Sequence, residues 1–424
     1  MQNKSNRNKY DLIVIGGGPS GMMMAGCAAE RGAKVLIIER NKKLGEKLKI
    51  TGGGRCNVTN AEFNVRKFLD NFPNSKNFLF SPFSKFSAKD TFLFFESLGV
   101  PLVTEQKLRV FPKSQNAKDI FRALEAYMRR NRVEVITSNR VIYVKKDGNK
   151  IVSVYTKKGT EFFGRNFAIA TGGIAAPQTG STGDGFEFLK TLGHTIKKPN
   201  PNIVPLTSDE AWVHRLSGLT LSFMSIRFKQ KGKIKFKKTG KILFTHFGIS
   251  GPLILNISHK VRELLKNGDV EASIDMFPDT EEDKLDKKVL GIFEKNKNKK
   301  LKNVLGAIIP EKLSKELLEM SDTPIGNVEI NSIIKEDRKR LVKKMKNLNF
   351  KITGTLGNEK AVITDGGIIP EEVNFKSMTS KLYPNLYLLG DILNINRPSG
   401  GFSLQLCWTT GHVAGVDVAS RLKD

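Results

Sequence analysis

Cysteine is scarce in this sequence: Cys27, Cys56 and Cys407 lie far apart and form no Cys-x-x-Cys pair. That spacing argues against a thiolate zinc site and a vicinal redox dithiol, and it predicts a reducing, cytoplasmic setting. Histidine is scarce too, and His194, His214, His259 and His412 share no metal-ligand spacing, so no metal is expected. No apolar stretch reaches the roughly 20 residues that cross a bilayer. Lys4, Arg7 and Lys9 ahead of an apolar run imitate an export signal, but Asp11 opens the run and Gly16 to Gly21 splits it. No uninterrupted apolar core of about 7–15 residues forms, and no membrane partner is expected. Acidic residues are few as well, 42 against 70 Lys+Arg, for a formal charge of +28. Such a field attracts nucleic acid, anionic lipid or acidic substrates. The lysines are spread along the chain, however, as in a lysine-rich proteome, so nucleic acid is not the expected partner.

The 424 residues suffice for two or three domains, and 39% hydrophobic with 26% charged residues is an ordinary folded composition. The first strong motif starts at Tyr10. Asp11 to Ile15 reads as a buried parallel strand, and Gly16-x-Gly18-x-x-Gly21, with Pro19 and Ser20 inside it, turns into a helix over Met22 to Glu30. In this unit the first glycine permits the tight turn, the second admits a pyrophosphate, and the third lets helix and strand pack closely. The phosphates then sit on the helix N-terminus. A second strand, Lys34 to Ile38, ends in Glu39, the acid expected to hydrogen-bond a ribose hydroxyl, with Arg40 beside it.

Further along, Asn166 to Ala170 reads as a strand ending in Thr171-Gly172-Gly173, where glycines let backbone pass a cofactor. Leu386 to Leu389 reads as a strand delivering Gly390-Asp391, an acid suited to ribityl hydroxyls. Gly400-Gly401-Phe402 precedes a helical run from Ser403, a candidate cap, to about Leu422. The positive end of that helix suits the negative charge that develops on a reduced flavin. These elements predict FAD. No second complete strand–glycine–helix unit is visible, so no dedicated nicotinamide domain is expected, and NAD(P)H is left as a transient electron donor.

Ile50-Thr-Gly-Gly-Gly-Arg-Cys-Asn-Val-Thr-Asn60, Arg109-Val-Phe-Pro112, Thr179-Gly-Ser-Thr-Gly-Asp-Gly185, Leu243-Phe-Thr-His-Phe-Gly-Ile-Ser-Gly-Pro252 and Gly400-Gly-Phe402 complete the pattern. With them the chain resembles the BaiN-like (YhiN-like) flavoprotein family, also known as aminoacetone-oxidase-like FAD-binding proteins, from about Tyr10 to Gly415. The resemblance implies an α/β fold: a split Rossmann-like FAD-binding domain of the glutathione reductase type, an inserted β-barrel-like domain, and a small helical insert. The expected boundaries are 1–200 and 354–424 for the FAD-binding domain, 201–279 and 324–353 for the barrel, and 280–323 for the helical insert. The pattern agrees, with short alternating strands such as Met224 to Phe228 after Pro201, then helical spacing at Leu285, Val289, Leu290, Ile292, Leu313, Leu317 and Leu318.

The cofactor contacts expected from motif and resemblance together also include Gly53, Gly54, Arg55, Cys56, Asn57, Val141 and Gly401 to Ser403. For Cys56 a buried packing role is preferred over a redox role. The catalytic candidate is His246, between a strand-like Lys241 to Thr245 and the turn Gly248 to Pro252; a structural histidine is the competing reading. The chain departs from the family pattern, with Leu108 before Arg109, Ala176 before Pro177, Asp391 after Gly390, Phe402-Ser403 after Gly401, and Asn394 in place of Asp. These departures bear on the substrate. The activity expected is FAD-dependent oxidoreduction of a small organic substrate by hydride transfer at flavin N5; the alternatives are a flavoprotein acting on RNA and a flavin-binding protein without turnover.

Overall fold

The computed structural model describes residues 10–422 apart from 73 and 321–323; Lys4, Arg7, Lys9 and the expected boundary at 323 lie outside the described residues. The chain divides into two compact units, residues 1–202 with 358–424, and residues 203–357.

The first unit opens with β1 (Tyr10–Ile15), α1 (Pro19–Glu30) and β2 (Val35–Ile38). Proline at the first helical position starts α1 three residues earlier than the apolar pattern indicated, because its fixed φ suits a helix start. The chain continues through α2 (Glu46–Ile50), α3 (Ala117–Arg130), β3 (Glu134–Ile136), β4 (Glu161–Ile169) and β5 (Ile196–Asn202). Leu12, Ile13 and Val14 of β1 are fully buried, as befits a central strand covered on both faces.

The second unit begins with β6 (Leu206–Thr207), β7 (Thr220–Gln230), β8 (Lys233–Thr245) and β9 (Gly248–Ser250). Then come α4 (Pro252–Leu265), β10 (Val270–Asp275), α5 (Glu282–Glu294), α6 (Glu311–Glu319) and α7 (Lys335–Lys346), before β11 (Leu348–Ile352) and β12 (Gly354–Thr355). The strands form one antiparallel sheet in the order β11-β10-β7-β8-β9-β6-β12. Only Thr353 separates β11 from β12, so a single stretch of backbone supplies both ends of that order and the sheet curls toward a barrel. Ile226, Phe228, Ile242, Phe244, Ile274 and Phe350 fill its core. Both β7 and β8 run well beyond the short strands read from sequence: a bulge between Leu221 and Met224 breaks the period-two pattern of β7, and Lys237-Lys238-Thr239-Gly240 breaks that of β8. Gly248 to Ser250 is a strand rather than a turn; the reversal is the two-residue His246-Phe247, with Thr245 paired to Gly248.

The chain returns to the first unit with β13 (Ile363–Ile368), paired to β5, then β14 (Leu386–Leu388) and α8 (Phe402–Ser420). The parallel strands stand in the order β3-β2-β1-β4-β14, the Rossmann-like arrangement in which ligands bind beyond the carboxyl ends of the strands. The helix α8 begins at Phe402 with Gly401 at its cap, at φ +99°. Ser403 is therefore inside the helix and does not cap it, since only glycine adopts that cap conformation without strain.

Candidate active site

A cleft of about 1130 Å³, partly open to solvent, lies at the carboxyl ends of β1, β2, β4 and β14. Of the sequence-predicted residues, Gly16, Gly18, Pro19, Ser20, Glu39, Arg40, Val141, Thr171, Gly172, Asp391 and Ser403 line it. The motif glycines are required for different reasons. At Gly16, with φ +105°, an added Cβ would stand 2.6 Å from the Ala170 carbonyl oxygen, and at Gly21 it would stand 2.1 Å from that of Gly16. Both glycines serve the fold. At Gly18 nothing lies nearer than 4.0 Å, so its bare backbone faces open space in the cleft. No side chain caps α1, which leaves its first-turn N–H groups free for an anion.

Glu39 is buried at the end of β2 and accepts hydrogen bonds from the backbone N–H of Gly17 at 2.7 Å and of Asn41 at 2.8 Å. Burial pushes its carboxyl above the ordinary value against the opposing pull of those donors. Asp184 draws the cleft wall together, accepting from Nε and Nη2 of Arg140 at 2.8 and 2.9 Å and from Arg40 at 3.2 Å.

Near the start of α8 stands a charged cluster that sequence reading only partly found. Asp391 pairs with the buried Arg397 and lies 3.8 Å from the Lys47 ammonium. Burial raises the Asp391 carboxyl, yet Arg397 and Lys47 outweigh it and hold it below the usual range. Burial lowers Lys47, against the attraction of Asp391, and its Nζ donates to the Ala175 carbonyl at 3.0 Å. Arg397 also donates to the Ser403 hydroxyl at 3.1 Å, which ties the first turn of α8 to Asp391. Cys407, one turn further on, lines the cleft with its thiol pushed up to about 12 by burial. Lys47, Arg397 and Cys407 were missed because no local motif marks them; Arg397, close to Asp391 in sequence, was the one within reach.

The remaining predicted residues do not line the cleft. Arg55 pairs with Glu105 and stacks over Phe111 at 4.0 Å. Cys56 is fully buried at φ +62°, its thiol pushed up to about 12 by burial, which suits packing. The Asn57 amide donates to the Thr59 and Val110 carbonyls and accepts from the Gly401 N–H at 3.0 Å, so it positions the start of α8. At Gly173 an added Cβ would overlap Thr364, and at Gly401 it would overlap the Thr59 carbonyl. Gly53, Gly54, Gly390 and Phe402 also lie outside the lining. His246 belongs to the other unit, where it is exposed at the β8–β9 turn against Phe247. Leu108 and Ala176, departures from the family pattern, adopt φ +57° and +52°, which glycine tolerates better.

One further cluster has the hydrogen-bond order of a hydrolytic triad. Ser380 Oγ lies 3.1 Å from His194 Nε2, and His194 Nδ1 lies 2.7 Å from Glu372. It is sealed in the core, with Ser380 2% exposed and also accepting from the Leu382 and Tyr383 N–H groups, so it locks strands rather than meeting substrate.

Residues 10–417 match the HI0933-like protein Rossmann domain family. The chain belongs to that family. It is 28% identical over 411 residues to the 3-dehydro-bile acid delta(4,6)-reductase of Clostridium scindens, covering 96% of this chain and 98% of that one. It is 26% identical over 423 residues to the ribosomal RNA dihydrouridine synthase of Haemophilus influenzae, covering 96% and 98%, and 26% identical to that of Escherichia coli, covering 97% and 98%. Among solved structures, the 3-ketosteroid delta1-dehydrogenase of Sterolibacterium denitrificans superposes with a TM-score of 0.59 at 11% identity, over 97% of this chain and 99% of that one. The 3-ketosteroid-delta4-(5alpha)-dehydrogenase of Rhodococcus jostii gives 0.54 at 14%, over 98% of each. At these identities the likeness is one of fold. The resemblance read from the motifs is thus borne out, as is the α/β class with its Rossmann-like sheet. Among the described residues no helix is long and apolar enough to cross a membrane.

Proposed function

We propose that this chain is an FAD-dependent oxidoreductase that saturates a carbon–carbon double bond conjugated to a carbonyl. The observation that carries this reading is the cleft, in which an uncapped helix start, the open Gly18 backbone, the Glu39 carboxylate and the Lys47–Asp391–Arg397 cluster face one space. The residues fit FAD: Glu39 for the adenosine ribose, Gly18 to Ser20 for the pyrophosphate, Thr171-Gly172 and Asp391 for the ribityl chain. When bound, FAD supplies the hydride, passed from its N5 atom. Lys47 and Arg397 set two cations against one carboxylate beside the first turn of α8, and this surplus positive charge stabilises negative charge developing there. His246 is assigned the proton that must accompany the hydride. NAD(P)H is assigned as the electron donor.

The reductive direction is supported by the relatives that match nearly full length. Both printed activities denote saturation of a conjugated double bond, in a bile acid and in the uracil ring. A small conjugated ketone is the first substrate class. The second is uracil within RNA, and a specific observation favours it: from Ala211 to Arg262 the chain contains no Asp or Glu while carrying eleven Lys and Arg.

The test is anaerobic flavin absorbance. NADH or NADPH should bleach the bound flavin, and a steroid dienone or ribosomal RNA should restore its colour. Release of FMN instead of FAD on heating sinks the cofactor assignment. Bleaching by an amine and recovery with oxygen alone overturns the reductive direction.

A further inference from the structure

The β7–β8 hairpin of the second unit carries charge in a way that folding does not require. Its turn is Lys231-Gly232, with φ of +50° and +72°, the left-handed pair of a two-residue hairpin turn. Asn, Asp or Gly normally occupies the first of these positions; here a lysine does. Lys231, Lys233, Lys235, Lys237, Lys238 and Lys241 are all exposed, and none has an ion pair among the described residues. The cations on the neighbouring strand differ: Lys229 meets Glu271 at 2.9 Å, and Arg227 lies 3.7 Å from Asp275.

Lysines on an edge strand also block edge-to-edge pairing, and β8 is such an edge, joined only to β7 until β9 pairs with it from Leu243 onward. Blocking needs one or two charges, and it does not explain the second feature of the hairpin. Where β7 bulges between Leu221 and Met224, Phe223 stands at φ +60° and is 80% exposed. A strained backbone that holds a large aromatic ring in water lowers stability on both counts. Such a ring, on the same hairpin as the lysines without ion pairs, gives that hairpin the two elements of a nucleic-acid surface, cations for phosphates and a face on which a base stacks.

We propose that the β7–β8 hairpin is the surface by which this chain grips RNA, with its lysines along the phosphates and Phe223 under an unpaired base. The proposal rests on the RNA reading of the substrate given above, and it is separable from that reading. A single strand is favoured over a duplex, because a splayed base is needed for stacking. Anionic lipid would use the lysines without needing one ring held in a bulge.

The experiment uses the full-length flavin-loaded protein and purified ribosomal RNA, with binding measured across a series of salt concentrations. The parent should bind with affinity that falls steeply as salt rises. Replacing Lys233, Lys235, Lys237 and Lys238 together by Gln should weaken binding at least about tenfold and reduce the log–log salt slope by about 3. Phe223→Asn, which suits the positive φ, should weaken binding about 5- to 150-fold with an unchanged slope. Both variants should keep the parent's FAD content and its rate of flavin reduction by nicotinamide, and Phe223→Asn should melt no lower than the parent. A parent that binds RNA, with both variants binding equally well, overturns the hairpin assignment and leaves the RNA reading standing. A parent that does not bind RNA while turning over a dienone overturns the RNA reading itself. Hairpin-dependent binding to phosphatidylglycerol vesicles without RNA binding replaces RNA with a membrane surface.

Discussion

The charged cluster near the start of α8 in the first unit and the β7–β8 hairpin of the second treat charge in opposite ways. In the first, Asp391 is paired with the buried Arg397 and with Lys47, and elsewhere in that unit Asp184 is paired with Arg40 and Arg140 and the buried His194 with Glu372. In the second, the outer strand of the hairpin carries lysines with no counter-ion among the described residues. A buried charge costs several kcal/mol unless it is paired, so it is retained where geometry must be held, as around a cofactor. An unpaired surface lysine costs almost nothing in the free protein and remains available to a polyanion. The first unit is built for one pose, the second for a surface.

The sharpest way to break this comparison is at the motif glycines of the first unit. Gly18→Val should give a folded, soluble protein that retains essentially no FAD, because the new side chain enters open space that the pyrophosphate needs. Gly16→Val should instead lose the fold, by more than about 3 kcal/mol, since a β-branched residue is forced to φ +105° against the Ala170 carbonyl. Flavin absorbance per protein and thermal melts of both variants separate the two outcomes; a yellow Gly18→Val protein would mean that the pyrophosphate lies elsewhere.

His246 decides whether the second unit contributes chemistry as well as surface. If it supplies the proton, His246→Gln should lower turnover per bound flavin by about 10²–10⁴-fold while flavin reduction by dithionite is unchanged. Turnover within about twofold of the parent would leave the histidine without a catalytic role.

The paired charges of the first unit can be tested at Arg397, whose side chain is 1% exposed. Arg397→Met leaves Asp391 with Lys47 at 3.8 Å and the Thr364 N–H at 3.4 Å, and breaking a buried pair in this way should cost roughly 3–5 kcal/mol in denaturant unfolding. The pH dependence follows from the depressed Asp391 carboxyl. Its stabilisation is fully present above the unfolded-state value of about 3.9 and is lost as pH falls through the lower folded value. The variant should lack that acid limb.

His412 gives the smallest effect. It stacks on Phe86 at 4.3 Å, its Nδ1 has no hydrogen-bond partner, and burial lowers it from 6.5 to about 4. The unfolded chain then binds the proton more readily than the folded one, so stability is full above pH 6.5 and falls as pH drops toward 4. The loss across that window should be roughly 2–3 kcal/mol. His412→Phe should remove it; an unchanged pH profile of the melting temperature would place the proton elsewhere.

Much of the first unit was legible before its structure. Tyr10 to Glu39 reads as strand, glycine turn, helix, strand and acid in unbroken order, and each step is a local rule about backbone freedom or periodicity. Gly390-Asp391 and Thr171-Gly172 were legible for the same reason. What escaped was the work of residues distant in sequence. Lys47 matters because Asp391 and Ala175 stand beside it. Arg55 and Asn57, read as cofactor contacts, are engaged instead by Glu105, Phe111, Val110 and Gly401. The extent of β7 and β8 was underestimated because a bulge in β7 and the polar run Lys237 to Gly240 in β8 interrupt the alternation.

By itself, the sequence determined the dinucleotide turn, the α/β class and the family, since these depend on short-range spacing and on glycines that only certain backbone conformations require. Only the tertiary structure decided which glycine leaves room for a ligand, which carboxylate is outvoted by two cations, and which lysines have no ion pair among the described residues. Those properties are sums over neighbours brought together by folding, and no local pattern along the chain contains them.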